Sequence, residues 1–314
     1  MVNHDAEVNN ISGRIMEFKN LNQEKAFMKK EADRLGISYM AAYTTYYARK
    51  FLEQMTLINN GHLVVKGSFS QYVHLKNLSR PVLDIDLSSS LSHHVPLEIL
   101  YKSIYETTTK SLTFDLAALP RQTKNGVYKI PLIAKIKYDN DKEMVIPVPI
   151  DFKENNKVIF ETQFKGVEPL FKGDKKFYIN TPSFEEHVAE KLYIIAHNTR
   201  EDVLNTRVKD FYDIYNLFGR DYDSDKFSLY FEAMVLMYGM KLEDVSVEFL
   251  NKEFIKRHDE LWDLMKKKYQ FVDKNVDLSD VVYFTKAVLS DQIQKIRSGD
   301  FKEQAYSLVR KKVK

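Results

Sequence analysis

Hydrophobic positions along the chain change their period twice, and the changes divide it into three parts. Up to about residue 60 they recur at three- and four-residue steps, the signature of amphipathic helix. Glu24 to Leu35 reads as a first helix closed by Gly36, a residue suited to the left-handed cap. Ser38 opens a longer one, in which Met40, Tyr43, Tyr47, Phe51 and Met55 share a face until Asn59-Asn60-Gly61 ends it. From His62 to about Phe164 the period falls to two. HLVVK, LDIDL, SLTFDLA, KIPLIAKIKY, MVIPVPIDF and KVIFETQF read as strands, with a helix over Pro96 to Thr107. Asp139-Asn140-Asp141 makes a hairpin turn, and the prolines of IPVPIDF suit an edge or bulged strand. Beyond Tyr178 the helical period returns to the end. Ser183 and Glu186 have the spacing of a capping box, and helices are expected over 206–218, 226–237, 247–269 and 278–297, the last capped by Asp277 or Ser279. The pattern predicts an α+β fold: N-terminal helices over 1–60, a sheet domain over 61–175 and a helical domain over 176–314, with the boundary between 165 and 180.

Composition narrows the class. The chain has 314 residues, 44% hydrophobic and 29% charged, which is globular composition. No apolar run approaches the ~20 residues of a membrane span, and MVNHDAEVNN lacks the plan of a signal peptide, so no membrane partner and a cytoplasmic location are expected. The absence of cysteine removes disulfides, thiolate catalysis and cysteine-based zinc sites. A net charge of +3 sets up no field that demands nucleic acid. The terminal LVRKKVK is basic and suits either a solvated end or an RNA contact. The tyrosine stripe Tyr43, Tyr46 and Tyr47 suits helix packing better than base stacking.

The stretch with most chemistry runs from His62 to Leu87. A strand leads to a turn at Gly67-Ser68, where a glycine lets the backbone approach a phosphate and exposed N–H groups form an anion nest. The next strand carries Asp84 and Asp86, two apart and therefore on one face. Two carboxylates that face together repel unless a cation lies between them, and Mg²⁺ takes such oxygens along with phosphate oxygens and water. An exposed edge strand with acidic outer positions has the same pattern. Asp151, in VPIDF, would join the pair if its strand were adjacent. Further on, Phe184, Val188, Leu192 and Ile195 form a helix stripe with Lys191 beside it. Phe211, Ile214, Tyr215 and Phe218 form another, with Asp210 and Asp213 one turn from Arg207; a surface ion-pair network would also explain these charges. His93-His94 has no third ligand at a metal-binding spacing, and no Ser-His-Asp order, Walker loop or HExxH occurs.

Together these stretches resemble the AbiEii/AbiGii-type nucleotidyltransferase toxins of bacterial toxin–antitoxin and abortive-infection systems. ARKFLEQMTLINNGHLVVKGSFSQYVHLK is similar to the family's helix, strand and KGS turn. Arg80 stands four residues before DID, as in its R…DIDL. EEHVAEKLYIIAHN and TRVKDFYDIYNL are similar to its lysine helix and R-x-K-D-x-x-D signature. Coverage runs from about residue 40 to the end; Gly-Ser replaces the commoner Gly-Gly, and HLKNLSR adds polar residues before Asp84. The resemblance implies a polymerase-β-like minimal nucleotidyltransferase domain whose cleft is completed by the helical domain. It implies Gly67 and Ser68 on the triphosphate with Lys66 as helper, Mg²⁺ on Asp84 and Asp86 with Asp151 matching only loosely, and Lys191 on nucleotide phosphates. Asp210 and Asp213 would be catalytic, and Arg80 and Arg207 would face the substrate. The implied substrates are an NTP and an acceptor hydroxyl, a tRNA 3′ end or other RNA, and the implied partner is a cognate antitoxin. The same parts could transfer AMP to a protein or a γ-phosphate to an acceptor, or serve a nucleotide-binding regulator without turnover.

Overall fold

A computed structural model describes residues 18–58, 62–89, 95–106, 111–139, 142–154, 160–200, 208–218, 221–269 and 271–313. Helix α1 (Leu21–Leu35) begins where the Asn20 side chain accepts the Gln23 amide at 2.9 Å and ends at Gly36 with φ +64°. Helix α2 (Tyr39–Ile58) buries Tyr43, Tyr46 and Tyr47, so the tyrosine stripe is packing: Tyr46 meets Tyr47 and Phe171 edge-on, each at 5.1 Å. The fully buried Glu24 accepts from the hydroxyls of Tyr47 and Tyr138, which satisfies a carboxyl that burial alone would penalise. Arg49, also buried, reaches Asp174 at 2.6 Å and so pins α2 to the loop between the last two strands.

Strands β1 (Val64–Val65), β2 (Ile85–Ser88), β4 (Arg121–Gln122), β5 (Val127–Ile130) and β8 (Ile150–Lys153) form a five-stranded sheet in the order β1-β2-β8-β5-β4. Helix α3 (Gly67–Leu75) connects β1 to the turn before β2, and α4 (Val95–Glu106) follows β2. Strands β3 (Leu112–Leu116), β6 (Leu132–Lys137) and β7 (Glu143–Pro147) make a second sheet, and β9 (Thr162–Val167) pairs with β10 (Phe177–Pro182) in a third. The helical part comprises α5 (Phe184–Arg200), α6 (Val208–Leu217), α7 (Ser224–Met237), α8 (Lys252–Lys268), α9 (Leu278–Ser298) and α10 (Lys302–Val313). The fold is thus α+β with a helical C-terminal bundle, as the periodicity predicts.

Several boundaries differ from the sequence reading, for physical reasons. Gly67 does not make a bare turn; it starts a helix. KIPLIAKIKY and MVIPVPIDF each divide between two sheets at a proline, Pro131 and Pro149, because proline cannot donate to a ladder and the chain bends there. On either side of these bends β5 and β8 lie in the five-stranded sheet while β6 and β7 lie in the three-stranded one. The expected edge strand is β7, whereas β8 is internal. Residues 178–182 are strand, not helix. The capping box is half made: Ser183 Oγ accepts the Glu186 amide at 3.2 Å, but the Glu186 carboxylate accepts the Phe160 and Glu161 amides at 2.8 Å each. The basic C-terminus continues as helix to Val313. On α6 the buried stripe is Val208, Phe211, Ile214 and Leu217, and Tyr215 is 38% exposed. Asn59-Asn60-Gly61, His93-His94, Asn140-Asp141 and Arg207 lie outside the described residues, as does the N-terminal MVNHDAEVNN. Among the described residues no helix is long and apolar enough to cross a membrane.

Two cores result. One gathers α1, α2, α4 and the sheets around Phe51, Phe69, Leu87 and Phe152; the other gathers α5 to α9 around Leu192, Phe211, Phe231 and Trp262. Each fully buried side chain of this size contributes about 1.5–3 kcal/mol by leaving water. Helix α3 bridges them: Phe69 and Tyr72 belong to the first core and Leu75 to the second. A cleft opens at that seam.

Candidate active site

Parallel pairing of β2 with β8 sets Asp86 directly beside Asp151, with Leu87 against Phe152 in the core. Neighbouring strands lie about 4.8 Å apart, so the two carboxylates share one face at the mouth of a cleft of about 220 Å³. Asp84 lies one residue before β2, so the expected pair on a single strand is instead a strand residue and the bend that leads into it. Lys129, opposite Asp151 on β5, forms an ion pair with it.

The other side of Asp86 is the start of α3. The Lys66 amide donates to the Asp86 carbonyl at 2.8 Å, and the first helical bond runs from the Ser70 amide to the Lys66 carbonyl at 3.3 Å. The amides of Gly67, Ser68 and Phe69 therefore precede the helical ladder, and a helix N-terminus favours anions. Ser68 Oγ is buried and has no hydrogen-bond partner among the described residues. Gly67 has φ +60°, and a β-carbon built there would overlap the Asp86 carboxylate. Glycine is required twice over, by conformation and by space.

Helices α5 and α6 form the opposite wall. His187, Glu190, Lys191 and Ile194 line the cleft because positions three and four apart share a helical face. Lys66 pairs with Glu190. Lys191 lies 2.7 Å from Asp213 and 3.6 Å from Asp210. Asp213, 1% exposed, also takes Arg80 at 3.1 Å and Gln71 at 3.2 Å. Burial pushes the Asp213 carboxyl up, yet Arg80 and Lys191 beside it outweigh that and hold it below the usual carboxylate range.

Asp86 behaves oppositely. Burial first, then the charges of Asp84 and Asp151, push its carboxyl up to about 6, against the weaker pull of Arg80 and Lys66. This is a local excess of negative charge that a small divalent cation would relieve. Among the described residues no group of three or more His, Cys, Asp or Glu is arranged to hold a metal ion. Mg²⁺ needs no such cage, since it is commonly held by one or two carboxylates with phosphate oxygens and water completing the shell. The donor set of Asp86 and Asp151, with Asp84 near by, fits that requirement.

A pH effect follows. Because the fold raises this pKa from 3.8 to about 6, the native state binds the proton more tightly than the unfolded chain. Asp86 therefore contributes stability at acid pH that is lost as pH rises from about 4 to about 6. A bound cation favours the ionised form and reverses the sign. The rise in Tm caused by Mg²⁺ is expected to be small at pH 5, full at pH 7.5 and absent at both in Asp86→Asn; calorimetric melts at the two pH values check it. An equal rise at both pH values would remove Asp86 as the coupled group.

The structure thus gathers Lys66, Gly67, Asp86, Asp151, Lys191 and Asp210 around one cleft, with Ser68 one residue inside α3. Arg80 and Asp213 stand behind it, paired with each other. The sequence places Arg80 toward substrate; in the structure it is partly buried, is not among the cleft-lining residues, and its Nε pairs with the buried Asp213 at 3.1 Å. Lys66, the expected triphosphate helper, is engaged by Glu190. Four further polar lining residues escaped the sequence reading: Ser88, Lys153, His187 and Glu190. For the last two a signal existed, since they fall one turn and one residue before Lys191.

Comparison with known proteins follows the same line. The family model described as "Nucleotidyl transferase AbiEii toxin, Type IV TA system" matches residues 50–284. Among solved structures, the MenT4 nucleotidyltransferase toxin of Mycobacterium tuberculosis superposes with a TM-score of 0.57 at 17% identity, covering 91% of this chain and 93% of that one. JHP933 of Helicobacter pylori superposes with a TM-score of 0.44 at 14% identity, covering 87% and 97%. No curated protein matches the chain.

Proposed function

From a chain that belongs to the AbiEii family of nucleotidyl transferase toxins, we propose an enzyme that transfers the nucleoside monophosphate of an NTP to an acceptor hydroxyl and releases pyrophosphate. The observation that carries the reading is the juxtaposition of Asp86 and Asp151 with the open N-terminus of α3 and the unpartnered Ser68 hydroxyl. Carboxylates on one side and anion donors on the other are what a metal-bound triphosphate requires.

Gly67, Ser68 and the amides that follow would cradle the phosphates. Lys191, held in place by Asp210 and Asp213, would neutralise charge as the α–β phosphate bond breaks. Asp86 and Asp151, with Asp84, would hold Mg²⁺, which when bound polarises the phosphate and makes an adjacent hydroxyl more acidic. Lys129 and Lys66, paired with Asp151 and Glu190, balance carboxylate charge in the cleft and would exchange these partners for phosphate oxygens of the substrate. Catalysis is then mainly positioning and charge neutralisation. The acceptor we favour is the 3′ end of tRNA, whose modification would block translation and arrest growth, with a cognate antitoxin to restrain it.

The test is transfer of label. Protein, total tRNA and Mg²⁺ are incubated with each NTP carrying label at the α- or the γ-phosphate. Label from the α-position in tRNA supports the reading, label from the γ-position alone points to a phosphotransferase, and label in protein alone points to a protein acceptor. Tight NTP binding with no labelled product would leave a regulator. In the same assay Gly67→Ala should lose about 10²-fold in rate, because the added methyl displaces Asp86. Its left-handed backbone would cost only about 1–2 kcal/mol of stability. Wild-type turnover in that variant would show that the close approach of Gly67 to Asp86 is irrelevant.

A further inference from the structure

We infer that His187 is a phosphate-binding residue of the cleft, its Nε2 reserved for a polyphosphate oxygen of the bound nucleotide; this rests on the nucleotidyl-transfer reading of the same cleft. The imidazole is 2% exposed, yet it lines the cleft, and its Nε2 has no hydrogen-bond partner among the described residues. A buried polar atom without a partner costs stability that a leucine in the same space would not. Retaining one at the wall of a cavity points to a partner supplied by a ligand.

The surroundings select that ligand's charge. On the same face of α5 stand Glu190 and Lys191, with Lys66 engaged by Glu190. From α3, His74 approaches with ring centroids 5.9 Å apart. Burial, then Lys191, His74, Lys66 and Arg80, hold the His187 imidazole well below its usual pKa, so the ring is neutral. At this nitrogen Lys191, Lys66 and Arg80 disfavour a metal ion and favour an anion, while His74, lowered to about 4 by burial, is itself neutral. Phosphate oxygens only accept, so the bound ring must present Nε2–H, with Nδ1 unprotonated. Such a donor adds orientation without adding charge or changing protonation when pyrophosphate leaves. Ser68, at the N-terminus of α3, is another buried group near this cleft whose hydroxyl has no hydrogen-bond partner among the described residues. The two would then grip the polyphosphate from opposite walls.

His187→Leu and His187→Asn test this, with calorimetric titration of each NTP and of inorganic tripolyphosphate in the presence of Mg²⁺. His187→Leu is expected to melt at or above the wild-type temperature without ligand, while binding both the NTP and tripolyphosphate about tenfold more weakly. His187→Asn, which keeps N–H donors, should recover part of that affinity. A purely structural histidine gives the reverse, a lower Tm with unchanged affinity, and that result overturns the inference. Should neither variant fold, the ring nitrogen resonances of wild-type His187 decide. A shift of Nε2 on saturation with tripolyphosphate supports the inference, and a static resonance overturns it. If the wild type binds neither NTP nor tripolyphosphate, the nucleotidyl-transfer reading fails and His187 with it. If the wild type binds both and His187→Leu binds equally well, only the role of the histidine fails.

Discussion

Asp86→Ala is expected to abolish label transfer, by about 10³-fold or more, while the protein stays folded. Asp86 stands beside Asp151 on the neighbouring strand and next to the start of α3, so its removal takes one of the paired carboxylates from the proposed metal and phosphate site. It also relieves repulsion among Asp84, Asp86 and Asp151, so the variant should melt no lower than the wild type without Mg²⁺. That combination, activity lost and stability kept, separates a catalytic carboxylate from a structural one. Growth arrest on expression should vanish along with transfer. Retained toxicity, or transfer within tenfold of the wild type, would remove Asp86 from the mechanism.

Asp213→Ala should show the opposite balance. Its buried carboxylate answers two cations, Arg80 at 3.1 Å and Lys191 at 2.7 Å, and accepts from Gln71 as well. Removing one partner of a buried ion pair leaves an uncompensated charge, which costs about 3–5 kcal/mol. For a chain of this size that lowers Tm by roughly 5–8 °C. Asp210 lines the cleft and lies farther from Lys191, at 3.6 Å, so Asp210→Ala should reduce transfer with a much smaller fall in Tm. Thermal melts of the two variants, run beside the labelled-NTP assay, check the contrast. If both lose activity at unchanged Tm, Asp213 acts directly on substrate and its placement as a positioning residue is wrong. The motif read from the sequence treats these aspartates alike, three residues apart on one helix. Both are buried; their partners separate them, Asp213 answering Arg80 and Lys191 while Asp210 lines the cleft.

What could be read in the chain was local. Gly36 as a cap, the apolar stripe of α5 and the buried tyrosines of α2 follow from periods and from conformations that only certain residues adopt. The nearness of Asp84 and Asp86 also follows from chain distance alone. Where the reading slipped, a longer-range effect had overridden a local one. Gly67 looks like a turn residue, yet β1 delivers it to the start of a helix whose later residues are wanted in two cores. MVIPVPIDF looks like one strand, yet Pro149 lets its two halves serve different sheets. Tyr215 has an inward-looking spacing, but the packing of α6 on its neighbours is satisfied by Val208, Phe211, Ile214 and Leu217.

The cleft itself depends on both kinds of information. By itself the sequence determined the fold class, the helical and strand periods, and which carboxylates, lysine and glycine carry the family resemblance. Tertiary structure alone decided that Asp151 is the strand neighbour of Asp86, that Arg80 answers Asp213, and that His187 and Glu190 share the wall with Lys191. The physical reason is that periodicity records which face of an element is apolar, whereas a site is made where polar faces of different elements meet. That meeting is set by strand register and helix packing across more than a hundred residues of chain, and no local pattern encodes it.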